Sequence, residues 1–170
     1  PKQPPTSPTL ATSTPTQEVI AVAYEPVTGG ELVRNRGPRH GVKAFADVIL
    51  FAFTQAGVKM GGIYNRRRQR GGSSWSLHAV GRAVDFMVPS TQVGDFLAAV
   101  IVKAATQCGV CEIIWNRRRW TAERGWQAYH GSNPHTDHVH VGFTRDLADS
   151  ASTTEALHKW FGAMMFPPAA

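Results

Sequence analysis

The chain has 170 residues, 42% of them hydrophobic and 18% charged; the length suits one compact domain with a tail, and the composition excludes a chain disordered throughout. Its net charge of +6 favours acidic partners, whether nucleic acid, anionic lipid or an anionic cell-wall polymer, without choosing among them. No run of about 18 or more apolar residues occurs, so no membrane span is expected.

Residues 1–17, PKQPPTSPTLATSTPTQ, are rich in Pro, Thr and Ser. They cannot bury apolar surface and are expected to form a linker or tail over residues 1–18, joining an upstream segment to a domain spanning 19–166. The start at Pro1 has neither the charged start nor the apolar core of a leader peptide, which leaves export open. From His40 to Ala56, apolar residues at Phe45, Val48, Ile49, Ala52, Phe53 and Ala56 follow helical spacing, and Gly57 is a natural stop. Val58–Tyr64 is expected to be a short strand with a glycine break, and residues 65–77, NRRRQRGGSSWSL, an exposed loop. Arg82–Val88 is a strand candidate. Ser90 can cap a helix that carries Val93, Phe96, Leu97, Val100, Ile101 and Ala104 on one face and ends at Gly109.

Val110–Trp115 is a further strand, followed by a polar loop with Trp120, Trp126 and Tyr129. His138–Phe143 alternates polar and apolar residues, as a half-buried strand does. A last helix is expected over Thr154–Ala163. Strands and helices mix without βαβ repeats, which indicates an α+β fold: a small mixed or antiparallel sheet with flanking helices. The two cysteines, Cys108 and Cys111, are too few for a four-thiolate zinc site and are expected to be a structural pair, reduced or locally disulfide-linked.

The chemistry concentrates in two segments, SLHAVGRAVD (76–85) and HTDHVH (135–140). A catalytic zinc site needs three protein ligands and one open position. His78, Asp85 and one histidine of the second segment supply that set. Asp85 lies between Val84 and Phe86, where an unpaired carboxylate is costly; a metal, or a cation such as Arg82, would offset the cost. Gly81 permits a tight bend that folds His78 back toward Asp85. In a strand, His138 and His140 share a face, so one can bind the metal while the other acts as base or orients a water.

The first segment matches the S-x-H-x-x-G-x-A-x-D signature and so resembles the VanY-like D-alanyl-D-alanine carboxypeptidase and L-alanyl-D-glutamate endopeptidase family of zinc peptidases, whose fold is shared with hedgehog domains. The segment DHVHVGF resembles that family's second motif. The resemblance covers roughly residues 40–145. It implies a hedgehog/DD-peptidase-like zinc fold with Zn2+ held by His78, Asp85 and His140, and Asp137 as general base with His138 as the alternative. It also implies that Ser76 lies near the substrate and that an arginine stabilises the oxyanion, for which Arg66 is chosen from Arg66–Arg68. Asp137 stands where many members carry Glu. The implied activity is hydrolysis of a peptide bond in the stem peptide of peptidoglycan, as endopeptidase or D,D-carboxypeptidase. The implied setting is a monomeric domain secreted to the cell wall, actinobacterial or phage-borne. The alternative is a non-catalytic zinc-fold module that binds the wall or another protein. Arg117–Arg119 beside Trp115 and Trp120 could line a groove. Aromatics with arginines also suit nucleic acid, but a nucleic-acid binder gives no reason for the His78, Asp85, His140 set, and no specific nucleic-acid partner is expected.

Overall fold

The computed structural model describes residues 22–150 together with positions 155, 158, 159 and 162, which are helical; the tail expected at 1–18 and most of the helix expected over 154–163 lie outside them. Within residues 22–150 three α-helices, α1 (Gly29–Arg34), α2 (His40–Phe53) and α3 (Thr91–Cys108), accompany six strands. The strands are β1 (Lys59–Gly62), β2 (Ala83–Met87), β3 (Val110–Trp115), β4 (Arg118–Thr121), β5 (Gly125–Ala128) and β6 (His138–Phe143). They form one sheet in the order β1-β2-β6-β3-β4-β5, and every neighbouring pair is antiparallel. The fold is α+β, as the sequence indicates, and the sheet is antiparallel rather than mixed.

The period-2 pattern of the strands divides the sheet into two faces. Val84 and Phe86 of β2, Ile113 and Trp115 of β3, and Val139, Val141 and Phe143 of β6 join one apolar core with Val42, Phe45 and Ile49 of α2 and Leu97, Ile101 and Ala104 of α3. Phe45 sits at the centre, 5.0 Å from the Phe143 ring in an edge contact and 6.4 Å from Phe86. Truncating such a buried ring costs about 3–5 kcal/mol. The alternate residues, Asp85, Glu112, His138 and His140, therefore project from the opposite face. Helix α3 approaches the sheet through Gly94, where an added Cβ would lie 2.2 Å from the Trp115 ring; the indole needs that space, and its Nε1–H donates to Asp95 at 2.8 Å.

Most element ends follow local chemistry visible in the sequence. Helix α2 continues as a 3-10 turn over Thr54–Ala56 and stops at Gly57 in the left-handed conformation. The Ser90 hydroxyl accepts from Val93 N–H and opens α3, which Gly109 closes, again left-handed. Two expectations need correction, and one element has no counterpart in the sequence reading. Trp120 and Trp126 do not lie in a loop: they face each other across the β4–β5 pair, and β3 joins β4 through Asn116 and Arg117, both with positive φ, as a two-residue mirror-image turn requires. The loop before His78 is not exposed to its end, because Ser76 and Leu77 are buried. Helix α1 was not anticipated; Thr28 and Glu31 form a reciprocal capping box at its start.

Cys108 and Cys111 are both buried and unbridged, and burial pushes each thiol up to about 12, which suits inert core residues. Arg82 is fully buried but does not face Asp85. Its guanidinium donates to Glu31 at 3.1 Å and to the Phe143 carbonyl at 3.0 Å, and pairs with Glu25. Arg145 completes this cluster by donating to Glu25 and Glu31. The charge on Asp85 is therefore met by other groups. No helix among the described residues is long and apolar enough to cross a membrane.

Candidate metal centre

His78 belongs to a 3-10 turn, Leu77–Val80, that precedes β2. The Ser76 hydroxyl caps it by accepting from His78 N–H, and Gly81 ends it with φ 70°, its N–H bonded to the carbonyls of Leu77 and His78. This bend turns the chain into β2 and returns His78 to Asp85, as the sequence suggests. Asp85 in turn sits directly opposite His140 in the β2–β6 register. A local turn and one cross-strand pair thus bring together three residues separated by up to 62 positions.

The polar atoms form a small triangle. His78 Nε2 lies 3.1 Å from Asp85 Oδ1 and 3.1 Å from His140 Nδ1, and His140 Nδ1 lies 2.8 Å from Asp85 Oδ1. All three side chains offer ligand atoms within 4.8 Å of one another. The outer nitrogens fix the tautomers. His78 Nδ1 is 2.8 Å from the Ile63 carbonyl, which only accepts, so Nδ1 carries the hydrogen and Nε2 presents a lone pair. His140 Nδ1 faces the triangle, which leaves its hydrogen on Nε2, the nitrogen that lies 3.6 Å from Glu112 Oε1, within ion-pair range but longer than a hydrogen bond. Two imidazole lone pairs and a carboxylate oxygen converge on one point, an arrangement that calls for a cation.

Electrostatics agree with the geometry. Burial by itself would raise the Asp85 carboxyl, but the close approach of His140 and His78 reverses this and holds it well below the usual carboxylate range. Burial disfavours charge on His140, yet Asp85 and Glu112 outweigh it and raise the imidazole to about 9. A proton on His140 Nδ1 meets the need for positive charge through one shared hydrogen bond; a divalent ion meets it through all three donors. Two nitrogens and one oxygen suit zinc. The spacing of 2.8–3.1 Å is slightly tighter than the roughly 3.3 Å between tetrahedral ligands at zinc bond lengths, a gap that small side-chain rotations close. The residues present therefore fit a metal ion.

Beside the triangle lies a cleft of about 850 Å³ whose wall includes Trp75, Glu112, Arg119, Tyr129, His135 and His140. Ser76 also lines it. Arg66 does not; its guanidinium donates to the Leu32 carbonyl at 2.9 Å, while its neighbour Arg67 reaches the cleft. Asp137 and His138 form a pair, with His138 Nδ1 donating to Asp137 Oδ1 at 2.6 Å. The Asp137 side chain is 69% exposed and that of His138 12%, and this hydrogen bond holds the Asp137 carboxyl below its ordinary value.

Two further residues belong to the site. His135, buried and with φ 51°, packs against the rings of His138 and His140 at 4.7 and 5.7 Å. Burial, together with those two neighbours, brings it down to about 4, so it is a neutral imidazole. Glu112 is buried in β3 with Arg119 Nε donating to it at 2.7 Å. Its signal in the sequence is a lone carboxylate in the apolar run VCEIIW.

No curated protein and no solved structure matches the chain. The family model described as VldE, C-terminal domain, matches residues 34–140, a span that runs from α1 into β6 and takes in His78, Asp85, Glu112 and His140. Because the match covers well over half of the sequence, the chain belongs to the VldE C-terminal domain family.

Proposed function

We propose that this protein is a zinc-dependent peptidase that hydrolyses a peptide bond in the stem peptide of peptidoglycan. The observation that carries the reading is the convergence of His78 Nε2, Asp85 Oδ1 and His140 Nδ1 within 3.1 Å of one another, beside a cleft large enough for several residues of an extended peptide. The resemblance of the segment 76–85 to the VanY-like signature supplies the substrate class.

A zinc ion held by His78, Asp85 and His140 would supply Lewis acidity toward a carbonyl oxygen and a water. The chain's own groups do the rest. Asp137 accepts the hydrogen bond from His138 Nδ1, which fixes the tautomer and leaves His138 Nε2 as the free base. His138 shares the sheet face of His140 and Asp85, and its side chain is far less exposed than that of Asp137. The proton is therefore taken at His138 Nε2 and returned to the leaving amine, with Asp137 orienting the ring. Ser76 keeps the turn bearing His78 in place. Arg67, Arg70 and Arg124 line the cleft and suit the carboxylates of a stem peptide.

Digestion of purified peptidoglycan, with the fragments identified by mass spectrometry, tests this and reports which bond is cut. The wild type should release fragments with newly formed peptide termini, and His140→Ala should release none. Identical fragments from both proteins would exclude the mechanism.

A further inference from the structure

The geometry points to Glu112 as the positioning residue of His140: its carboxylate holds the His140 ring with Nε2–H turned inward, so that Nδ1 is the atom offered to the ion. This rests on the reading of His78, Asp85 and His140 as a metal centre, and adds what determines the affinity of that centre.

Glu112 is 6% exposed, and the other residues of β3 are apolar and buried. A carboxylate in such a place costs several kcal/mol unless its oxygens find partners. Its two oxygens divide the task. Oε2 takes Arg119 Nε–H at 2.7 Å, and Oε1 faces His140 Nε2 at 3.6 Å. His78 meets the same requirement through a different atom, its Nδ1–H donating to the Ile63 carbonyl. The two imidazoles thus face the triangle through opposite nitrogens, His78 with its outer nitrogen bonded to a carbonyl and His140 with its outer nitrogen at ion-pair distance from the Glu112 carboxylate. Ring orientation of metal-bound histidines is commonly set in this way, and the acceptor contributes to affinity.

The backbone is built to admit the carboxylate. Glu112 pairs across the sheet with Gly142, and a Cβ at Gly142 would stand 3.0 Å from Glu112 Cγ and 2.6 Å from Leu77 Cδ1. A side chain there would press on Glu112 and on the side chain of Leu77, the residue before His78. Arg119, stacked over Tyr24 at 4.7 Å, keeps the second oxygen occupied from the cleft side.

Competition with a chelator of known affinity measures zinc binding without reference to activity. Glu112→Gln should weaken zinc binding by about 10-fold or more, and unchanged affinity in a folded Glu112→Gln protein would overturn the proposal. If Glu112 served only to neutralise Arg119, the double variant Glu112→Gln/Arg119→Gln would restore wild-type affinity; the positioning role predicts that the loss persists. Long-range 15N–1H spectra of the zinc-loaded wild type decide the matter even if the variants do not fold. His140 should carry its hydrogen on Nε2 and His78 on Nδ1, and a His140 hydrogen on Nδ1 would refute the proposal. A wild type that binds no zinc would overturn the metal centre itself, an outcome distinct from a wild type that binds zinc and a variant that binds it equally well.

Discussion

Replacing Gly81 by alanine separates the cost of a strained backbone from the cost of displacing a metal ligand. Gly81 has φ 70°, and an added Cβ would lie 2.1 Å from the Gly37 carbonyl oxygen and 2.9 Å from Arg39 N. That same Arg39 N–H donates to the Gly81 carbonyl at 3.2 Å, so neither strand of the contact can yield without losing a hydrogen bond. The left-handed conformation costs alanine about 1 kcal/mol, and a clash with packed backbone adds roughly 2 more. The sum of about 3 kcal/mol corresponds to a fall in Tm of roughly 6–12 °C for a domain of this size. Gly125 supplies the comparison: its φ is 62° and nothing lies within 4 Å of its would-be Cβ. Gly125→Ala should cost only the conformational part, about 2–4 °C. Thermal melts of both variants, followed by zinc competition, complete the test. Gly81→Ala should also lose about 10-fold or more in zinc affinity, because the shifted turn carries His78, while Gly125→Ala keeps wild-type affinity. Equal melting shifts, or an unaltered zinc affinity in Gly81→Ala, would refute the account of how the turn delivers His78.

In chelator-stripped protein, zinc at about 100 times its Kd should stabilise the fold by about 2.7 kcal/mol, and Asp85→Asn should abolish that increment; a full zinc-induced shift in the variant would exclude Asp85 as a ligand. Glu31 is buried between Arg82 and Arg145. Burial raises its carboxyl, but the Thr28 N–H and the two arginines more than reverse this and bring it below the ordinary 4.5. A depressed acid contributes stability that is fully present above its unfolded value and is lost as pH falls through its folded value. Urea melts should therefore show Glu31→Gln with lower stability at neutral pH and a flatter decline below pH 4.5, and parallel declines would contradict the reading. His138→Ala should reduce turnover by about 10²–10⁴-fold and Asp137→Ala by less, since it only orients the ring; the opposite ranking would make Asp137 the base.

The parts of the fold legible in the sequence are those where one face is buried and the period is clean. Helices α2 and α3 and strands β2, β3 and β6 have such patterns, and they build the core and carry Asp85 and His140 to their places, while Ser76 and Gly81 mark the turn that holds His78. The β4–β5 hairpin was hidden because its strands are four residues each and rich in Arg and Trp, and because its entry turn uses Asn116-Arg117 instead of a glycine-containing pair. Helix α1 is only six residues long, too short for a periodic signal, although the spacing of Thr28 and Glu31 marks its start. Glu112 was missed for a different reason. Strand β3 is buried along its whole length, so a lone carboxylate in its apolar run marks an anomaly without naming a partner, and only the three-dimensional neighbours His140 and Arg119 give it a role. Arg82 shows the converse: proximity in sequence suggested a partner for Asp85, whereas burial committed it to Glu31 and Glu25.

The most direct test of the central claim is metal analysis of chelator-free protein combined with a crystal structure recorded at the zinc absorption edge. One zinc per chain is expected, with anomalous density bonded to His78 Nε2, Asp85 Oδ1 and His140 Nδ1 and lost in His140→Ala. Zinc content near zero, or an anomalous peak away from these three atoms, would contradict it.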